Sequence, residues 1–100
     1  HGEKRQLEVG MALVGHPKLL LLDEPYAGMG PGGAVELTKL IRRLKSEVTI
    51  LLVEHDMGAV FSLADRITVL VYGKAIASGT PEAIRNDPEV RQAYLGDENL

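Results

Sequence analysis

The chain alternates between short apolar runs with no polar break and longer segments whose apolar residues recur at helical spacing. Leu19-Leu-Leu-Leu-Asp-Glu-Pro25 opens with four consecutive leucines. A run with no polar alternation reads as a strand buried on both faces of a parallel sheet. Pro17 and Pro25 bracket it too tightly for a helix of ordinary length. Thr49-Ile-Leu-Leu-Val53 repeats the pattern and predicts a second buried strand, and Arg66-Ile-Thr-Val-Leu-Val-Tyr72 predicts a third. Between the first two, residues 34–45 carry Val35, Leu37, Leu40, Ile41 and Leu44 on one broad apolar face, the pattern of an amphipathic helix. Upstream, Leu7, Met11 and Val14 recur at helical spacing, and residues 57–64 predict a short helix after the second strand. Strand–helix alternation through Tyr72 gives an α/β fold with a parallel sheet.

Local punctuation completes the outline. Tyr72-Gly73-Lys74 leads into Ala75-Ile-Ala-Ser78, so the last two strands are expected to form an antiparallel hairpin. Thr80-Pro81-Glu82 and Asp87-Pro88-Glu89 each combine a capping residue, a first-turn proline and an early acid, the signature of a helix start. Residues 26–33 hold four glycines in eight positions, a loop that could cradle phosphate or simply follow a tight path. The P-loop pattern Gly-x-x-x-x-Gly-Lys-Ser/Thr occurs nowhere among the 100 residues.

Composition narrows the function classes. With 45% hydrophobic and 25% charged residues and a mean hydropathy of +0.01, the chain reads as an ordinary globular domain or a piece of a larger one. A net charge of −3 argues against a nucleic-acid footprint, which needs a basic stripe. The absence of cysteine excludes disulfides, thiolate metal sites and a cysteine nucleophile. No apolar run approaches the ~20 residues of a membrane-spanning helix.

The candidate chemistry lies where the strands end. Asp23 and Glu24 close the first strand, and ligands in open α/β sheets bind outside the carboxyl ends of strands. A nucleotide hydrolase needs one acid to hold Mg²⁺ and one to handle the attacking water; the alternative is a core strand followed by two solvated acids. Glu54-His55-Asp56 closes the second strand, where His55 could stabilise a phosphoryl group or merely bond within a turn. His1-Gly2-Glu3 stands before a helix, where free N–H groups and the helix dipole suit an anion, although a glycine there also serves as a plain turn. Arg42, Arg43 and Lys45 fall near a helix C-terminus and read as a solvated face.

The order of these motifs is more specific than any one of them. A glycine-bearing helix start, a leucine strand ending Asp-Glu-Pro, a glycine-rich loop, a helix, a strand ending Glu-His-Asp and a hairpin together resemble the ATP-binding subunit of ABC transporters over nearly the whole chain. By that resemblance His1, Gly2 and Glu3 look like the last positions of the signature loop. Leu19 to Asp23 looks like the Walker B strand, Glu24 its catalytic acid, Ala27 to Pro31 the D-loop with Gly28 and Gly30, and His55 the switch histidine. The stretch Gly73 to Glu82 is similar to importer subunits, and the signature ending, Gln6-Leu-Glu8 and Ala-Tyr-Leu-Gly96 look closest to the branched-chain amino acid importer branch. The resemblance implies a three-layer P-loop NTPase-type sheet of which residues 1–100 are the C-terminal part of one ATP-binding domain, with the hairpin and short helices at its end. It implies MgATP, with Asp23 holding Mg²⁺, Glu24 polarising water and His55 bonding the γ-phosphate. The signature residues would face ATP held by a second ATP-binding subunit, in a homo- or heterodimer. The other implied partners are integral membrane permease subunits and, indirectly, a solute-binding protein, at the cytoplasmic face of the plasma membrane.

Gly30 departs from the pattern, standing where most members carry Asp or Asn. Two other readings remain: a chromosome-maintenance or DNA-repair ATPase of the same superfamily, which would show heptads or a basic surface, and an inert folding piece. Because the phosphate-binding nest of a P-loop is not in this sequence, the chain by itself is expected neither to bind ATP tightly nor to hydrolyse it. The family fold sets the Walker A strand between Thr49–Val53 and Ile67–Val71, so the chain alone is expected to self-associate through its open strands.

Overall fold

The computed structural model describes residues 2–95, and they fall into two compact units divided after Leu63. The first contains α1 (Gly2–Leu13), β1 (Leu19–Asp23), α2 (Pro31–Leu44), β2 (Thr49–Val53) and α3 (Met57–Leu63). The second contains β3 (Ile67–Val71), β4 (Lys74–Gly79), α4 (Pro81–Arg85), α5 (Pro88–Val90) and a π-helical turn, Arg91–Leu95.

In the first unit β1 and β2 pair in parallel, Leu19 opposite Thr49 through to Asp23 opposite Val53, joined by α2. The expectation of strands buried on both faces is corrected. Leu20 and Leu22 enter the core, whereas Leu19 and Leu21 are 58% and 60% exposed. Ile50 and Leu52 join the core, while Leu51 and Val53 face outward. The helices cover one face of the pair, and a leucine run carries no polar residue to record which face that is. Leu37, Ile41 and Leu44 of α2 are buried against Leu20, Leu22, Val48, Ala59 and Leu63, while Val35, expected on the same apolar face, is half exposed. α1 forms as expected but rolls the other way: Val9 is buried with Leu13 against it, leaving Leu7, Met11 and Val14 exposed. Two apolar stripes compete on this helix, and packing selects the shorter one.

α2 starts at Pro31, earlier than its apolar pattern suggests, so Gly32 and Gly33 belong to its first turn rather than to the loop. Proline at the first helical position loses no bond there, because that N–H has no partner within the helix.

In the second unit β3 pairs antiparallel with β4 and is not bonded to β2, so the third parallel strand suggested by the alternation is absent among the described residues. Tyr72 and Gly73, with φ of 49° and 75°, close the hairpin between Val71 and Lys74, the double positive φ of a type I′ turn. The register shifts after Val69, leaving Ile76 as an extra residue on β4. Both expected caps form: Thr80 accepts from the Ala83 N–H, and Asp87 accepts from Glu89 and Val90. The Tyr94 hydroxyl donates to the Leu70 carbonyl.

Candidate active site

Parallel pairing sets Asp23 beside Val53, so the residues that follow each strand emerge at one end of the sheet. The Glu24 N–H donates to the Val53 carbonyl at 2.7 Å, extending the ladder one bond past β1. Glu24 holds a left-handed backbone, φ 46°, an uncommon conformation for a residue with a side chain. The chain turns there, and Ala27 N–H bonds the Glu24 carbonyl at 3.1 Å.

This turn directs Glu24 onto His55. His55 Nδ1 and Glu24 Oε1 form a hydrogen-bonded pair, with side chains 77% and 48% exposed respectively. Donation from Nδ1 to the carboxylate leaves Nε2 free to meet a ligand. Asp56 caps α3 by accepting from the Ala59 N–H at 3.1 Å, which fixes the chain just beyond His55.

Glu54, to which the sequence reading gave no separate role, is the buried member of the site. Its side chain is 2% exposed. Oε2 accepts from the Tyr26 N–H at 3.3 Å, and Oε1 accepts from the N–H groups of His55 at 3.1 Å and Asp56 at 3.4 Å. The available signal was an acid between a wholly apolar strand and a histidine. Tyr26 is itself pinned, with its hydroxyl 2.6 Å from Thr38 Oγ1 on α2. Burial pushes its phenol above the ordinary tyrosine value, opposed by the Thr38 bond.

The remaining expected site residues divide by element. Asp23 is exposed at the end of β1 and lines a cleft of about 250 Å³ with Arg5, Glu8 and Val9 of α1. Gly28, φ 76°, lies in the loop after Tyr26, where the left-handed backbone favours glycine. Gly30 is the N-cap of α2 and supplies no side-chain acceptor, the service an Asp or Asn would perform. Gly2 and Glu3 open α1, with Lys4 directly after them in the first turn. His1 lies outside the described residues.

One donor atom each from Glu24, Glu54 and His55 lies within 4.8 Å of the others. This set includes an imidazole nitrogen and omits Asp23. A hard, water-retaining cation such as Mg²⁺ prefers one or two carboxylates with substrate phosphates, which the exposed Asp23 suits better than the His-containing set.

Relatives share this arrangement of elements. The chain superposes on MJ1267, an ATP-binding cassette of an ABC transporter in its ADP conformation, with a TM-score of 0.81 at 33% identity, covering 96% of this chain and 40% of that one. It is 46% identical to the high-affinity branched-chain amino acid transport ATP-binding protein BraF of Pseudomonas aeruginosa, over 97% of this chain and 39% of BraF. The chain belongs to the ATP-binding cassette family. LivG of Escherichia coli K12, described in the same words as BraF, is 48% identical over the same shares. The family described as branched-chain amino acid ATP-binding cassette transporter matches residues 76–99 of this cassette sequence. The chain thus spans 39% of the length of these two relatives. No helix among the described residues is long and apolar enough to cross a membrane.

Proposed function

We propose that this sequence is the C-terminal part of one ATP-binding domain in an ATP-hydrolysing subunit of an ABC importer for branched-chain amino acids. The observation that carries the reading is the Glu24–His55 pair, held at the adjacent carboxyl ends of two parallel strands. The names of BraF and LivG, and the family match at residues 76–99, support the solute class.

In this reading Glu24 accepts a proton from, and orients, the water that attacks the γ-phosphate. His55 holds Glu24 through Nδ1 and presents Nε2 to the phosphate. Asp23 is the residue fitted to hold Mg²⁺ through water, and that ion when bound would offset charge on the phosphate oxygens. Gly2, Glu3 and His1 contribute to ATP bound by a second ATP-binding subunit, and Gly28 and Gly30 shape the loop between them. The subunit works at the cytoplasmic face of the membrane with permease subunits, which receive solute from a solute-binding protein.

Uptake tests the solute class. A strain lacking the intact subunit should lose high-affinity uptake of labelled leucine, isoleucine and valine, and the wild-type subunit should restore it. Unchanged uptake of all three in the deletion strain would refute that assignment.

A further inference from the structure

We infer that Glu54 is a positioning residue that sets the separation of Glu24 and His55, an inference that rests on the hydrolytic reading of that pair. Its carboxylate is nearly wholly buried, and a buried charge is costly unless hydrogen bonds compensate it. Three backbone N–H groups do so, and they come from both sides of the site. One oxygen takes the Tyr26 N–H, two residues after Glu24; the other takes the N–H groups of His55 and Asp56. The carboxylate therefore fastens the turn carrying Glu24 to the turn carrying His55. Oε1 also stands 3.9 Å from His55 Nδ1, so two carboxylates face the same ring nitrogen and favour a proton there. That arrangement leaves Nε2 to the phosphate.

Only a carboxylate satisfies both sides. It accepts at each oxygen, whereas the amide of glutamine accepts at one position and donates at the other. In Glu54→Gln one side of the clamp faces donor against donor. Alanine removes both sides. Glu54 itself does not contact ATP in this reading, and its loss shifts Glu24 and His55 relative to each other, so the loss should fall mainly on the chemical step. Displacement of catalytic groups on the scale of an ångström lowers rates roughly ten- to hundredfold.

The test uses the intact subunit with MgATP. Glu54→Gln is expected to lower kcat roughly ten- to hundredfold, with KM for ATP within about twofold of wild type, and Glu54→Ala to lower kcat further. Rates are normalised to ATP-binding sites, so a merely unstable variant that keeps its turnover per site would overturn the inference, as would wild-type kcat in Glu54→Gln. Amide hydrogen exchange on the wild-type subunit supplies a readout that needs no variant. Tyr26 and His55 N–H groups should exchange slowly, and exchange at the rate of open loop amides would refute the clamp. If Glu24→Gln retains wild-type turnover, the hydrolytic reading itself fails, whatever Glu54 does.

Discussion

Three described residues with a full side chain hold left-handed backbone, His16 after α1, Glu24 after β1 and Tyr72 after β3, and the last two make the comparison. The local cost is similar, about 1–2 kcal/mol for a non-glycine residue. The causes differ. At Tyr72 a two-residue hairpin loop demands positive φ at both positions, Gly73 supplies the second, and the tyrosine side chain points wholly into solvent. At Glu24 no hairpin imposes the conformation. The backbone is held by the bond to the Val53 carbonyl, and the left-handed turn carries the carboxylate onto His55. Strain thus closes a connection in one region and aims a carboxylate at a histidine in the other.

The largest expected effect separates the two regions by function. His55→Ala in the intact subunit should lower kcat by about 10²–10⁴, the range for a positioned proton-handling group. With a side chain 77% exposed, the substitution should leave the melting temperature close to wild type. A steady-state ATPase assay beside a thermal melt reads both; a variant with near-wild-type turnover would move His55 out of the chemistry and make the turn at Glu24 merely structural.

A small effect on stability comes from placing asparagine, which tolerates left-handed backbone, at each turn. Tyr72→Asn should stabilise the fold by about 0.5 kcal/mol and leave hydrolysis unchanged, since type I′ turns favour Asn-Gly. Glu24→Asn gains the same backbone relief, loses the exposed bond to His55 worth at most about 1 kcal/mol, and should abolish hydrolysis at nearly unchanged stability. Denaturant melts of both variants sharpen the comparison. Equal loss of hydrolysis at the two positions would break it.

The same contrast explains what the amino-acid pattern disclosed. The hairpin, the Thr80 and Asp87 caps and the ends of β1 and β2 follow from chemistry within a few residues, and each formed where the residues indicated. The buried face of β1 does not follow from four leucines, because nothing in the run distinguishes Leu20 from Leu21 before helices cover one side. α1 shows the same ambiguity, with Val9 and Leu13 preferred over the more obvious Leu7, Met11 and Val14. At the site, Asp23, Glu24 and His55 were visible as polar residues ending apolar strands. Glu54 was visible in the same way, but its burial and its grip on the Tyr26 N–H are long-range facts, 28 positions apart in the chain.

The central claim is that Glu24 acts on the attacking water rather than on ATP binding, and Glu24→Gln in the intact subunit tests it most directly. Glutamine keeps the shape and one acceptor while removing the charge. Measured by calorimetry and size-exclusion chromatography with MgATP, the variant should bind ATP as tightly as wild type and accumulate as an ATP-bound dimer. Its phosphate release should fall at least about a hundredfold. Wild-type phosphate release from Glu24→Gln, or loss of ATP binding with a native melt, would contradict the assignment.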